Sequence, residues 1–159
     1  MTELIQITKE NAIKAFNSAG PKGKALLQNL IGADVLIEKI TDRVKSYEDA
    51  CEVLGLKPKT INDYDGAVAE FAFHKLERIA KALNEGWKPN WDNSSEWKYY
   101  PWFDMRSTSA GGSGFSFSDG VYGNSRSRVG SRLVFRSREL AEYAGETFLD
   151  IYRDWMVIE

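Results

Sequence analysis

The chain has few of the residues that cross-links and most reactions need. Its 159 residues include one cysteine, Cys51, and one histidine, His74. A single thiol excludes an internal disulfide and any cysteine-based zinc site. One imidazole without a second histidine or a thiol partner does not have the make-up of a metal centre or of a histidine-activated nucleophile. No apolar run approaches the roughly 18 residues of a membrane span. The first residues, MTELIQITKEN, lack a basic segment followed by an apolar one, so no signal peptide is expected. Charge of one sign is not in excess either: 21 Lys and Arg against 23 Asp and Glu give a net charge of −2. The resulting pI of about 5.6 disfavours a general duplex-DNA binder, whose footprint is basic. These absences describe a single soluble protein of a reducing cytoplasm, with no cofactor, no metal and no membrane partner expected. Cys51, in the helical-looking YEDACEVLG, reads as a small buried hydrophobe.

Aromatic residues are plentiful: five Trp, seven Tyr and eight Phe, or 13%. They concentrate in the second half. The first half reads as helices. Thr8 caps KENAIKAFNSA, with Ala12, Ile13 and Phe16 on one side. Gly20-Pro21 stops that helix and starts the next, in which Leu26, Leu27, Leu30 and Ile31 form a stripe. DVLIEKI is a strand or a connector. Ser46 and Asp49 cap a short helix that Gly55 ends. The clearest helix is DYDGAVAEFAFHKLERIAKALNEG, where Val68, Ala72, Leu76, Ile79 and Leu83 recur at helical spacing and Gly86 supplies the stop.

From residue 87 the composition changes. WKPNWDNSSEWKYYPWF holds seven aromatics in seventeen residues, and a Gly/Ser-rich stretch follows. GFSFS and SRLVFRS alternate as strands of a small antiparallel sheet, with Trp97 to Phe103 as a third candidate. Ser137 caps one closing helix with Leu140, Ala144, Phe148, Ile151 and Trp155 on its buried face. The expected fold is α+β: N-terminal helices, a small antiparallel sheet in the second half, and a closing C-terminal helix. It reads as one domain over 1–159, divided into a helical part (1–86), an aromatic and arginine-rich β part (87–137) and the last helix (138–159).

ALNEGWKPNW, KYYPWF and VGSRLVFRSRELAEYAGETFLDIYRDW, with ITKENAIKAFNSAGPKGKALLQNLIG and VKSYEDACEVLGL, resemble a set of small uncharacterised proteins of Bacteroidetes bacteria and their phages. The resemblance covers most of the chain. It implies a phage or mobile-element setting in a bacterial host, and it carries no activity or catalytic residue to transfer.

No residue set spells out a reaction, so no catalytic residue is assigned. GPKGKA at 20–25 departs from a phosphate-cradling P-loop: two residues separate its glycines where four are needed, and Ala25 follows Lys24 where Ser or Thr belongs. His74 lies four residues after Glu70 and four before Arg78, the spacing of a solvated helix face. Asp63 and Asp65 stand where a helix N-terminus favours acids. Asp92 and Glu96 have no evident base beside them.

The strongest local feature is RSRVGSRLVFRSR at 126–138, five arginines in thirteen residues with no acid. In an extended strand Arg126, Arg128, Arg132 and Arg136 share one face while Leu133 and Phe135 enter the core. Gly130 is a candidate bulge in that register. Arg138 falls at the start of the last helix. Guanidinium groups match phosphate geometry, and Phe115, Phe117 and Tyr122 stand on a neighbouring hairpin where they can stack on bases. An arginine face beside flat rings suits a nucleotide or single-stranded nucleic acid. Two other readings compete. The aromatics can fill the core while the arginines pair with the chain's acids. Alternatively, Trp91, Trp97, Tyr99, Tyr100 and Trp102 can anchor a host protein or a second copy of the chain, since Trp and Tyr dominate interface energetics.

Overall fold

The computed structural model describes residues 6–36, 39–106 and 114–158. Part of the Gly/Ser-rich stretch, residues 107–113, therefore lies outside the described residues. The backbone gathers into two compact units, Met1–Asp42 and Arg43–Glu159, where the sequence reads as one domain.

In the first unit, α1 (Lys9–Ser18) begins where the Thr8 hydroxyl accepts the Asn11 N–H at 3.3 Å. Helix α2 (Pro21–Ile31) opens on proline and ends at Gly32, whose φ of 94° is closed to most side chains. GPKGKA is thus a turn into a helix. The leucine stripe read on α2 is not buried: Leu26 and Leu30 are 59% and 72% exposed. Among the described residues of this unit α2 packs chiefly on the ten-residue α1 and a single helical turn, α3 (Ala33–Leu36), too little surface to cover both sides. That turn opens DVLIEKI, whose residues 37 and 38 lie outside the described residues. A further single turn, α4 (Ile40–Arg43), follows.

In the second unit, Ser46 caps α5 (Tyr47–Val53) by accepting the Asp49 N–H at 3.0 Å. A 3-10 turn, Ile61–Tyr64, is closed by Asp63, whose carboxylate accepts the Thr60 N–H at 2.7 Å. Asp65 and Gly66 then adopt positive φ, 51° and 81°, so the long helix does not start at the acids as expected. Helix α6 runs from Val68 to Leu83. Its stripe of Ala72, Leu76, Ile79 and Leu83 is buried, whereas Val68 at its mouth is exposed. Removing four such side chains from water stabilises the unit by about 1.5–3 kcal/mol for each of the larger ones.

Two strands, β1 (Lys98–Asp104) and β2 (Ser116–Gly123), pair antiparallel, with Tyr100 opposite Val121 and Lys98 opposite Gly123. SRLVFRS is not a strand. It meets the sheet through one bridge, Tyr99 to Phe135, with N–H···O distances of 3.0 and 2.7 Å. A second anchor lies fifty residues earlier. The buried Asn84 side chain donates to the Val134 carbonyl at 2.8 Å and accepts the Arg136 N–H at 3.0 Å. Asn84 thus pins the edge opposite the Phe135 bridge, and Leu133, Val134 and Phe135 are all buried in succession, not alternately as a two-faced strand would be.

The expected closing helix is two helices, α7 (Arg138–Thr147) and α8 (Leu149–Met156), broken at Phe148 (φ −111°, ψ 28°). Ser137 caps α7 as expected, accepting the Leu140 N–H at 3.3 Å. Leu140, Ala144 and Phe148 are buried, while Ile151 and Trp155 are half-buried. α7 packs on the β1–β2 sheet, and α8 packs on α6. Gly145 permits the first contact: a Cβ there would lie 2.4 Å from Phe117 Cδ2 and 2.8 Å from Pro101 Cβ. The architecture is α+β, with the aromatic core between the sheet and its helices.

Candidate functional site

Alternation along β1 turns Pro101 and Phe103 toward α7 and α8, where Phe103 meets Tyr152 at 4.7 Å between ring centroids. Lys98, Tyr100 and Trp102 take the other face. After β2 the chain folds back over that face. Gly123 makes this possible, because a Cβ would stand 2.5 Å from the Arg126 carbonyl oxygen. The Ser127 hydroxyl accepts the Val129 and Gly130 N–H groups at 3.2 and 2.9 Å, and Gly130 turns at φ 71°. Gly130 therefore marks a loop turn and not a bulge in a strand.

The fold-back leaves a groove of about 690 Å3 lined by Tyr100, Trp102, Tyr122, Arg126, Ser127 and Arg128, among others. The Arg128 guanidinium lies over the Trp102 ring, 5.2 Å from its centroid. Arg126 is exposed on the same groove. Neither arginine has an ion pair among the described residues.

The remaining arginines of the run are elsewhere and occupied. Arg132 Nε donates to Glu77 at 2.8 Å. Arg136 pairs with Glu85 and donates to the Asn84 carbonyl at 3.3 Å. Arg138 lies 3.2 Å from Asp119 and 3.3 Å from Glu142. The expected single line of guanidinium groups is thus corrected to a pair, because the segment that was to align them is held by Asn84 and acids from α6 onward.

The stacking candidates divide in the same way. Phe115 is buried and stacks on Phe103 at 4.8 Å, so it is core, while Phe117 is half-buried with its ring against Gly145 of α7, on the sheet face away from the groove. Tyr122 is 55% exposed, edge-on to Trp97 at 4.8 Å. Of the residues read as an interaction anchor, Trp97 (46%) and Trp102 (41%) are exposed and Tyr100 is buried. Tyr99 is half-buried on the Tyr122 edge, and Trp91 donates Nε1–H to Ser131 at 2.7 Å.

Sequence reasoning missed Lys98. Its side chain is 1% exposed, and Nζ donates to the carbonyls of Asn90, Glu96 and Asn93 at 2.5, 2.7 and 3.2 Å. Residues 87–97 are folded around this ammonium, which also lies 5.4 Å from the Trp91 ring centroid. The signal was present in KYYPWF, where Lys98 is in phase with Tyr100 and Trp102. Glu96 closes the loop by accepting the Asn90 N–H at 2.7 Å, which with Lys98 lowers its carboxyl below the ordinary range.

His74 is not on a solvated face. It is half-buried between the Tyr47 and Tyr64 rings, at 6.2 and 5.3 Å, and its Nε2 is buried without a hydrogen-bond partner among the described residues. Burial first, and then the Arg78 and Lys59 charges, hold its pKa below the ordinary imidazole value. Asp63 serves the 3-10 cap, and the Thr60 N–H lowers its pKa. Among the described residues, no three His, Cys, Asp or Glu side chains gather closely enough to hold a metal ion. No described helix is long and apolar enough to cross a membrane.

No family model, curated protein or solved structure matches this chain.

Proposed function

We propose that the protein is a non-enzymatic binder of a phosphate-bearing ligand, a nucleotide or a short single strand, held in the groove between the sheet and the 124–130 loop. One observation carries the reading: Arg126 and Arg128 border the same groove, which no carboxylate among the described residues lines, with Arg128 lying over an exposed Trp102. Arginine forks bind phosphate oxygens in pairs, and an exposed aromatic ring offers a base about 1–3 kcal/mol of stacking. Tyr122 borders the groove and extends the aromatic surface. In the phage setting that the resemblance implies, such a groove would sequester a host nucleotide signal or coat single-stranded DNA in the host cytoplasm.

A thermal-shift screen of nucleotides, cyclic dinucleotides and oligonucleotides at two salt concentrations tests this. A ligand at 100 times its dissociation constant adds about 2.7 kcal/mol to stability. The shift should shrink with salt and disappear in Arg126→Ala and Arg128→Ala. No shift from any phosphate compound would favour a second reading, in which the exposed Trp97–Tyr122 pair and Trp102 anchor a protein partner. That interface would be sensitive to Trp97→Ala and nearly indifferent to salt.

A further inference from the structure

The loop that carries Arg126 and Arg128 is tied to the rest of the chain at its two ends. Among the described residues, two side-chain hydrogen bonds join residues 124–131 to other segments. At the start Asn124 Nδ2 donates to the Ser94 carbonyl at 3.2 Å, and at the end Trp91 Nε1 donates to the Ser131 hydroxyl at 2.7 Å. The loop's other side-chain bonds are internal: Asn124 Oδ1 accepts the Ser125 N–H, and the Ser127 hydroxyl accepts the Val129 and Gly130 N–H groups. Residues 125–128 between the two anchors are all exposed. Apart from the rest of Arg128 on the Trp102 ring, the placement of both guanidinium groups depends on those ends.

Both anchors come from one segment, and each stands one residue beyond a carbonyl that Lys98 holds. Lys98 Nζ donates to the Asn90 carbonyl at 2.5 Å, immediately before Trp91, and to the Asn93 carbonyl at 3.2 Å, immediately before Ser94. A carbonyl and the Cα of the next residue lie in one rigid peptide plane, so each of these bonds also places the residue that reaches the loop. The Trp91 ring is held a second time, with the ammonium 5.4 Å from its centroid. Lys98 itself is 1% exposed and does not line the groove.

We infer that Lys98 is a positioning residue for the groove: it touches no ligand, and through Trp91 and Ser94 it holds both ends of the loop that presents Arg126 and Arg128 to phosphate. The inference rests on the phosphate reading of that groove. When an anchor is lost, the loop spends part of its time in placements where the two guanidinium groups do not meet one ligand. Apparent affinity then falls with the fraction of the protein that remains competent.

Fluorescence anisotropy of a labelled eight-nucleotide single strand at low salt tests this in the full-length protein. Trp91→Phe keeps a ring against the ammonium and removes the N–H, and Ser131→Ala removes its acceptor. Each should weaken binding roughly fivefold, the share of one neutral hydrogen bond, and the double variant should be no weaker than either, because both remove the same bond. Ser131→Thr keeps the hydroxyl and should bind like the parent. Lys98→Met releases both anchors and should lose roughly twenty-five-fold. If Lys98→Met does not fold, Trp91→Phe and Ser131→Ala decide the matter, with melting temperatures showing that each is folded at the assay temperature. By reciprocity, a saturating strand should slow hydrogen exchange of the Trp91 indole N–H, the signal missing in Trp91→Phe, by the same roughly fivefold. An anchor that only stabilised the fold would not respond to ligand. Equal affinities for parent, Trp91→Phe and Ser131→Ala would overturn the positioning role and leave the groove reading standing. A parent that binds neither the strand nor any nucleotide would overturn both.

Discussion

Replacing Lys98 with methionine keeps the buried stem and removes the ammonium around which residues 87–97 are folded. Three carbonyls lose a charged donor at 2.5–3.2 Å, and Glu96 Oε1 loses its ion pair at 3.3 Å while keeping the Asn90 N–H. A hydrogen bond to a charged group is worth about 1.5–3 kcal/mol. Two effects reduce the sum. Asn90 and Asn93 are exposed, so water can replace the donor there, and a buried charge no longer has to be desolvated. The net loss should be about 2–4 kcal/mol, which lowers Tm by about 4–16 °C in a chain of this size. Urea and thermal unfolding followed by near-ultraviolet circular dichroism would measure it. The Trp91 signal should change in parallel, since the ammonium lies 5.4 Å from that ring centroid. A variant within about 1 °C of the parent, with an unaltered tryptophan spectrum, would refute the idea that this ammonium organises the segment.

Three further outcomes are expected. Gly145→Ala places a methyl 2.4 Å from Phe117 and should destabilise the second unit by about 2 kcal/mol in urea, even though alanine favours the helix by up to about 1 kcal/mol. The folded-state pKa of His74 is depressed, so the unfolded chain binds more protons below the ordinary imidazole value of 6.5. Stability should therefore be complete above that pH and decline as pH falls toward 5, a slope absent in His74→Gln because the chain has no other histidine. Gly123→Ala drives a methyl against the Arg126 carbonyl and should lose the phosphate response as Arg126→Ala does; a thermal-shift response equal to the parent's would contradict the fold-back account.

Local devices were legible in the sequence. Thr8, Ser46 and Ser137 cap the helices they were expected to cap, because capping needs only neighbouring residues. The α6 stripe follows from helical periodicity alone. Contacts between distant residues were not legible. Period-two alternation in SRLVFRS points to a strand, yet the segment keeps one bridge to β1 between turns and bends, and its other edge is pinned by Asn84. The same event hands Arg132 and Arg136 to acids near α6. Arg126 and Arg128 reach the groove for a different reason, the turn permitted by Gly123. Alternation likewise cannot tell which face of a hairpin a helix will cover, so Phe115 and Phe117 read as ligand contacts although Phe115 is core and Phe117 lies half-buried under α7.

The central claim is that Arg126 and Arg128 together hold phosphate beside Trp102. Its most direct test is fluorescence anisotropy of a labelled eight-nucleotide single strand across a salt series. Two phosphate contacts should make the logarithm of affinity fall with that of salt at a slope of about −1.4, and either Arg126→Ala or Arg128→Ala should reduce the slope by about 0.7. Arg132→Ala and Arg136→Ala should leave it unchanged. Equal slopes and affinities for parent, Arg126→Ala and Arg128→Ala would contradict the claim.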